Sequence, residues 1–235
     1  MSRIFITGDT HGRLDIGKLT DYMFLDGDNL TYSDYVIITG DVCVPSFGKT
    51  LETDSTFDFY KSRKYTTLFV DGNHENFGEL NSLPVEMWNG GKIHRLAQNM
   101  IHLMRGQVYT IGDKKIFTFG GALSIDKDIR TPGYTWFSEE ECNVHEINEA
   151  IDNLSNHNYI VDYIITHTCG QEYMARNAYK LGIKFNPYYQ GSTEKFLDYI
   201  EENVKCKHWY FGHYHYDKVI DTKHTLLYND IIEIY

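Results

Sequence analysis

Five short fragments, spread over almost the whole chain, carry the side-chain types that bind divalent metal ions. Each contains aspartate, asparagine or histidine, and most of them follow a β-branched or aromatic run. The fragments are Gly8-Asp9-Thr10-His11-Gly12, Gly40-Asp41, Gly72-Asn73-His74-Glu75, Thr166-His167 and Gly212-His213-Tyr214-His215. Binding groups concentrate on loops that a rigid scaffold positions. The pattern therefore predicts a sheet whose strand-end loops gather these side chains at one edge.

The order of apolar runs in the first third of the chain predicts an α/β fold. Strands are expected at 3–7, 35–39 and 67–70, and helices at about 15–25 and 54–64. A βαβαβ order implies parallel strands that are joined by right-handed crossovers. The second run is apolar throughout, which is typical of a strand buried on both faces.

Shorter strands and further helices follow in the rest of the chain. The predicted strands are 100–104, 107–111, 115–119, 159–166, 208–211, 218–220, 225–228 and 231–235, and the predicted helices are 144–155 and 193–204. Gly112-Asp113 indicates an antiparallel hairpin, and the last three strands suggest a meander. We expect two mixed sheets packed face to face, with helices outside, in one domain that covers residues 1–235.

The composition argues against a protein that coats nucleic acid. Hydrophobic residues make up 42% of the chain, which is enough for a large core, and the formal net charge is -11 at pH 7. A nucleic-acid-binding face would be basic, so extended nucleic acid is not an expected partner. A nucleotide or a nucleic-acid end stays open as a substrate, because bound metal ions would invert the local potential.

The cysteines and the apolar runs indicate a cytoplasmic protein without a membrane partner. The four cysteines show neither a Cys-x-x-Cys pair nor a disulfide-framework spacing; they are Cys43, Cys142, Cys169 and Cys206. This pattern predicts free thiols in a reducing compartment. The first motif follows Met1 almost directly with no signal peptide, and no run approaches about 18 apolar residues.

The spacing of the first ligands fits a pair of metal ions. Two ions about 3.5–4 Å apart can clamp a phosphoryl group and activate a water molecule. Asp9 and His11 can both reach one ion from a turn. Asp41 ends a different buried strand and is the natural bridge, because a carboxylate can span two cations whereas one imidazole nitrogen cannot.

The remaining ligands complete the second half of this pair. Asn73 offers a neutral amide oxygen, and His167 follows another strand. His213 and His215 alternate along a segment that we expect to be extended, so that one can face each ion. A single histidine is more often a surface or core residue, and a Gly-Asp pair alone is usually a turn. The combination of all the motifs nevertheless favours a metal centre.

This set of motifs resembles that of the calcineurin-like metallophosphoesterase superfamily, whose motifs run GDxH, GD, GNH[ED], a lone His and GHxH. The resemblance spans Gly8 to His215, and residues 120–127, with Arg130 and Trp136, are similar to small bacterial and phage members. It implies a four-layer αββα sandwich with two divalent ions, manganese above all, with iron, zinc, nickel or magnesium as alternatives.

The resemblance also implies a role for each motif residue. Asp9, His11 and His215 resemble the ligands of one ion. Asn73, His167 and His213 resemble the ligands of the other, and Asp41 resembles the bridge. His74 resembles the non-ligand histidine that protonates the leaving oxygen or stabilises the charge there.

The chain departs from two branches of the superfamily after its second motif. Protein Ser/Thr phosphatases continue this motif as GDxxDRG. Here Val44 stands in place of the acidic residue that would orient the catalytic histidine, and Pro45 in place of the phosphate-binding arginine. Purple acid phosphatases have a tyrosine at the position of Val44. These departures weaken an assignment as a phosphoprotein phosphatase.

Other residues are candidates for the contacts that these departures remove. Arg13 and Arg130 are the candidate substrate-binding cations, and the alternative for each is a solvated surface residue. Tyr134 and Trp136 have the aromatic faces on which a nucleobase can stack, although core packing is the simpler explanation for Trp136.

The expected activity is hydrolysis of phosphate mono- or diesters by direct attack of a metal-bound hydroxide, with His74 as general acid. A small diester or nucleotide-type substrate is favoured, because the arginine that Pro45 replaces would favour a doubly charged monoester. The alternatives are a phosphoprotein phosphatase, a nuclease, and a non-catalytic scaffold of the same fold. A scaffold would be expected to have lost site residues, whereas all eight are present.

Overall fold

The computed structural model describes residues 2–188 and 191–235, and its helices and strands follow one another as an α/β chain. The strands are β1 Ile4–Thr7, β2 Tyr35–Ile38, β3 Thr66–Phe69, β4 Val85–Trp88, β5 Gly91–Ala97, β6 Met100–Leu103, β7 Gln107–Ile111, β8 Lys114–Phe119, β9 Tyr163–Thr166, β10 His208–Phe211, β11 Lys218–Val219, β12 His224–Leu226 and β13 Ile231–Ile234. The helices are α1 Ser55–Lys61, α2 Phe77–Leu80, α3 Val144–Asn156, α4 Gln171–Leu181 and α5 Ser192–Asn203.

The strands form two mixed sheets. The first sheet has seven strands in the order β13-β1-β2-β3-β6-β5-β4, and the second has six in the order β11-β12-β10-β9-β8-β7. In the first sheet β1, β2, β3 and β6 are parallel. In the second sheet β8, β9, β10 and β12 are parallel. The carboxyl ends of the parallel strands in each sheet therefore share one edge.

The sheets pack face to face, and helices cover their outer faces. Buried aliphatic and aromatic residues of both sheets form the central layer, which includes Ile37, Leu68, Ile116 and Ile165. Helices α3, α4 and α5 pack on the outer face of the second sheet. Helix α1 and the loops around it pack on the outer face of the first sheet. This confirms the predicted sandwich of two mixed sheets with helices outside.

The helix predicted at 15–25 is wrong. The segment forms two short 3-10 turns, Ile16–Leu19 and Leu25–Asn29. Lys18 is turned inward, where its ammonium group donates to the carbonyl oxygens of Gly8 and Asp9. Gly17 lowers the helix propensity of this segment. The contacts of Lys18 therefore favour the two 3-10 turns over a regular helix.

The meander predicted for the last three strands is also wrong. Strands β11 and β12 are antiparallel in the second sheet, but β13 pairs with β1 in the first sheet. The Asp217 carboxylate accepts hydrogen bonds from the backbone N–H groups of Tyr228, Asn229 and Asp230. These bonds hold the turn by which the chain passes from one sheet to the other.

Other boundaries differ in detail, and two expectations remain open. The strand predicted from residue 159 begins only at Tyr163, and strands β4 and β5 and helices α2 and α4 were not predicted. All four cysteines are free. Among the described residues, no helix combines the length and the apolar character that crossing a membrane requires. The single domain over residues 1–235 and the cytoplasmic location stay predictions.

Candidate metal centre

The predicted ligands lie on loops that follow five parallel strands of the two sheets. Asp9, Asp41 and Asn73 follow β1, β2 and β3, whereas His167 and His213 follow β9 and β10. The loops are tight turns, since several of these residues have positive φ angles, among them Asp41 at 49° and His213 at 69°. The extended segment that we expected at the last motif is therefore absent, because His215 also has a positive φ of 50°.

The glycines before the ligands allow the loops to approach one another. A Cβ atom on Gly72 would lie 2.1 Å from Asp41 Oδ1, and one on Gly212 would lie 2.1 Å from Asp9 Oδ1. Any side chain at these positions would push a carboxylate out of place. Gly72 and Gly212 are thus each required by a carboxylate from a different motif.

Asp9, His11, Asp41 and His215 form the first candidate ligand set. Each offers one ligand atom, and these atoms all lie within 4.8 Å of one another. His11 Nε2 is 3.3 Å from Asp41 Oδ2, while His215 Nε2 is 3.4 Å from Asp9 Oδ2. His11 Nδ1 is 2.7 Å from the Asp15 carboxylate, and a carboxylate in this position orients a ligating imidazole. Asp15 was not among the predicted site residues.

Asp41, Asn73, His167 and His213 lie together as the second candidate ligand set. His167 Nε2 lies 3.0 Å from Asn73 Oδ1 and 3.2 Å from His213 Nδ1. The same nitrogen lies 3.4 Å from Asp41 Oδ2. His167 Nδ1 donates to the Thr39 carbonyl oxygen at 2.8 Å, so Nε2 of the neutral imidazole carries a lone pair. Lone pairs that converge in this way fit a cation, and nitrogen and oxygen donors suit a divalent transition metal.

The pKa values of His167 and His213 reflect the negative charge of the neighbouring carboxylates and the burial of the site. Burial lowers the pKa of His167, but the carboxylates of Asp41 and Asp9 outweigh it and raise this pKa to about 10. Burial and the neighbouring His167 lower the pKa of His213 to about 3. A proton on His167 thus provides the positive charge that a bound divalent ion would provide in its place.

His74 lies beside the ligand sets and contacts Arg130. Its backbone N–H donates to Asp41 Oδ1 at 2.8 Å, and Arg130 Nη2 donates to His74 Nε2 at 2.9 Å. Burial lowers the pKa of His74, and the Arg130 guanidinium lowers it further, although Asp41 opposes them. The imidazole is therefore neutral, with its proton on Nδ1.

The two candidate substrate-binding arginines occupy different places. Arg130 reaches the site and also bonds to Asp126 and Glu140. Arg13 is exposed, and its side chain forms no hydrogen bond or ion pair with the residues that the structure describes. Tyr134 is half-exposed and lines a separate recess with Asn76, while Trp136 is only partly buried.

Glu75, the last residue of the third motif, holds the loop that carries Asp41. Its carboxylate accepts from the backbone N–H of Val42 at 2.8 Å and of Cys43 at 2.9 Å. Burial raises the pKa of Glu75 to about 8. Glu75 belongs to the third sequence motif, but the spacing of that motif does not indicate that its carboxylate binds the loop after β2.

Lys18 is a second supporting residue that sequence reasoning missed. Its ammonium group is buried and donates to the carbonyl oxygens of Gly8 at 3.0 Å and Asp9 at 2.6 Å. It also donates to the carbonyl oxygen of Tyr228, in the loop that leads to β13. A lysine inside an apparent amphipathic run gives no sequence signal for such a role.

A cleft of about 380 Å³ opens over the ligand sets. Its floor contains Asp41, Asn73, His213 and His215. Its walls are formed by His74, Leu123, Ile125, Asp126, Arg130, Lys184 and Tyr214. The cleft is therefore large enough for a small organic phosphate, with apolar and cationic groups beside the candidate metal positions.

Comparison with known proteins agrees with this geometry. The sequence model of a family described as calcineurin-like phosphoesterase matches residues 2–217, a span that contains all five motifs. No curated protein sequence matches the chain.

Proposed function

The chain belongs to the calcineurin-like phosphoesterases, and on this premise we propose that it is a phosphodiesterase that acts on small nucleotide-type substrates with two manganese ions. Membership of this family makes the chain a metal-dependent phosphoesterase. The proposal adds the class of ester and the metal. The observation that carries it is that Arg130, which lines the cleft, already donates its hydrogen bonds to other protein groups.

The residues present fit a dinuclear centre. Asp9, His11 and His215 would hold one ion, and Asp41 would bridge the pair. The second ion would be held by Asn73, His167 and His213. Divalent ions in such a pair lower the pKa of water and neutralise charge on the phosphoryl group. Manganese is proposed because the donor set mixes imidazoles with carboxylate and amide oxygens.

His74 and Arg130 serve the leaving group in this proposal. The proton of His74 lies on Nδ1, because Arg130 donates to Nε2. The imidazole therefore stabilises the leaving oxygen as a hydrogen-bond donor. The adjacent guanidinium places a fixed positive charge near the same oxygen, and it favours the neutral form of His74.

The donors of Arg130 are already engaged, which favours diesters. Its Nε donates to Asp126 at 2.9 Å and its Nη2 donates to His74 at 2.9 Å. Its Nη1 is directed at the Glu140 carboxylate and at the Thr135 carbonyl oxygen, each at 3.4 Å. A dianionic monoester gains most from a free guanidinium with two parallel donors. A singly charged diester depends on it less.

The rest of the cleft suits a diester with a small organic group. Leu123 and the exposed Ile125 provide an apolar wall. Lys184 is exposed on the cleft and forms no ion pair with any described residue, so it can provide one point charge. Val44 is buried in the core. With Val44 there, the acidic residue that orients the catalytic histidine of phosphoprotein phosphatases has no counterpart.

The test is a comparison of kcat/KM for bis-p-nitrophenyl phosphate and p-nitrophenyl phosphate with manganese, nickel, magnesium and zinc. We expect the diester to be hydrolysed at least as well as the monoester, and the rate to be highest with manganese. A strong monoester preference that collapses in Arg130→Ala would refute the diester proposal. It would show that Arg130 leaves its protein partners to bind phosphate.

A further inference from the structure

Glu140 is a buried carboxylate that belongs to neither ligand set, yet hydrogen bonds connect it to both sides of the site. It ends the 3-10 turn Ser138–Glu140 and its side chain is 2% exposed. Its Oε2 accepts a hydrogen bond from Ser124 Oγ. Its Oε1 accepts from Arg130 Nη1 at 3.4 Å and from the Phe137 backbone N–H at 3.3 Å.

The bond to Ser124 leads to the candidate metal ligand Asn73. Asn73 Nδ2 donates to Ser124 Oγ at 3.0 Å. A serine hydroxyl has one proton, and Ser124 gives it to Glu140, so its oxygen is left to accept from the amide. The Asn73 amide is thereby oriented with Oδ1 towards His167 Nε2, 3.0 Å away. The acceptor oxygen of Glu140 thus determines which atom of Asn73 faces the metal position.

The bond to Arg130 leads to His74. The guanidinium donates to Glu140 through Nη1 and to His74 Nε2 through Nη2. Asp126 holds the same guanidinium through Nε at 2.9 Å. The carboxylates of Asp126 and Glu140 therefore fix the orientation of the guanidinium group that contacts His74.

The backbone of Glu140 is tied to the third motif as well. Arg105 Nη2 donates to the carbonyl oxygens of Glu139 at 2.7 Å and Glu140 at 3.4 Å. The Arg105 guanidinium also donates to the buried carboxylate of Asp71, two residues before Asn73. Arg105 thus holds the turn Ser138–Glu140 in a fixed position relative to the third motif.

We propose that Glu140 is a positioning residue that acts on Asn73 through Ser124 and on His74 through Arg130. One buried carboxylate would then align a metal ligand and the leaving-group histidine together. The inference rests on the proposed function, because it takes Asn73 to bind an ion and His74 to face the leaving oxygen.

The test separates the two connections with single variants. In Ser124→Ala, calorimetric titration should show one of the two manganese ions bound about 10- to 100-fold more weakly, with the dependence of rate on the leaving group unchanged. In Arg130→Gln, both ions should bind as in the wild type. The rate on diesters with poor leaving groups should then fall about tenfold or more below that on good ones.

Glu140→Gln should show both losses at once. Added to the Ser124→Ala/Arg130→Gln double variant, it should change neither quantity further, because residues in one network are not additive. Glu139→Gln is the matched control, since this exposed neighbour on the same turn bonds through its side chain, among the described residues, only to Ser138. It should match the wild type in both measurements.

The proposal fails if Glu140→Gln matches Glu139→Gln in manganese affinity and leaving-group dependence, or if it lowers only the thermal stability. It also fails if the change adds further losses to the double variant. Should Glu140→Gln not fold, Glu140→Asp takes its place, because it keeps the carboxyl group but withdraws it from Ser124 and Arg130. A wild-type protein that binds no manganese would instead refute the proposed function, so the two failures can be distinguished.

Discussion

At the scale of single residues, the site depends on how closely its loops pass one another. Gly72→Ala would place a Cβ atom 2.1 Å from Asp41 Oδ1, so the Asp41 carboxylate would have to move. We expect manganese affinity to fall by about 100-fold or more at both positions, since Asp41 belongs to both ligand sets. Gly17→Ala is the control, because a Cβ atom there meets nothing within 4 Å. Equal manganese affinities for the two variants in calorimetry would contradict this prediction.

Two further substitutions separate a metal ligand from a leaving-group residue. Asp41→Asn keeps a residue type that tolerates the positive φ of 49°, but it removes the shared charge, so both ions should be lost together. His74→Asn should keep both ions, while the rate falls about 10²- to 10⁴-fold, most of all for poor leaving groups. Metal analysis and kinetics on the same preparations test this. A His74→Asn protein without metal would mean that His74 is a ligand.

The sequence predicts which residues come together here more readily than what supports them. The motif residues are recognisable because their types and their places after strands are local features. Lys18, Ser124 and Glu140 act through partners outside their own turn or motif, and no spacing indicates such partners. The contact between Arg130 and His74 is of the same kind, since the two residues are 56 positions apart.

At the scale of helices and strands, regular apolar patterns predict an element well, and competing side-chain contacts explain the errors. The buried strands β1, β2 and β3 lie within a residue or two of their expected bounds. Strand β4 is a half-exposed edge strand without a clear apolar run, and it was missed. The prediction of a meander was wrong because β13 pairs with β1, whose residues are more than 220 positions away. Local patterns do not encode such distant pairing.

The pairing of β5 with β6 brings two buried histidines into contact. His94 on β5 and His102 on β6 are buried, and their Nδ1 atoms lie 3.1 Å apart. Burial, followed by the neighbouring His102, lowers the pKa of His94 to about 4. The unfolded chain therefore binds more protons than the folded one between about pH 6.5 and pH 4. Folding stability should fall as the pH drops through this window.

The corresponding measurement is the free energy of unfolding by urea at pH 7 and at pH 4.5. We expect His94 to account for a loss of about 1–3 kcal/mol between these values. In His94→Gln that part of the pH dependence should disappear, because glutamine does not titrate. His145→Gln serves as the control, since His145 is exposed on α3. An equal pH dependence in the wild type and His94→Gln would show that His94 does not titrate in this range.

At the scale of the whole molecule, the candidate metal centre joins the two sheets. Asp9, Asp41 and Asn73 come from loops of the first sheet, and His167 and His213 come from loops of the second. The buried carboxylates of Asp41 and Asp9 raise the pKa of His167 despite its burial, so this imidazole favours a proton. Bound ions would replace that proton and connect the sheets at this edge.

Metal binding should therefore raise the thermal stability of the whole fold. An ion present at 100 times its Kd stabilises the folded state by about 2.7 kcal/mol. For a chain of this size, this corresponds to a rise in Tm of roughly 5–11 °C for each ion. Calorimetric scans of chelator-treated protein with and without manganese test the shift.

Hydrolysis should be lost on chelation and restored by manganese in the same samples. The Asp41→Asn variant should show little shift, because both ions need its carboxylate. A fully active, chelator-treated protein with an unchanged Tm would refute a metal centre between the sheets.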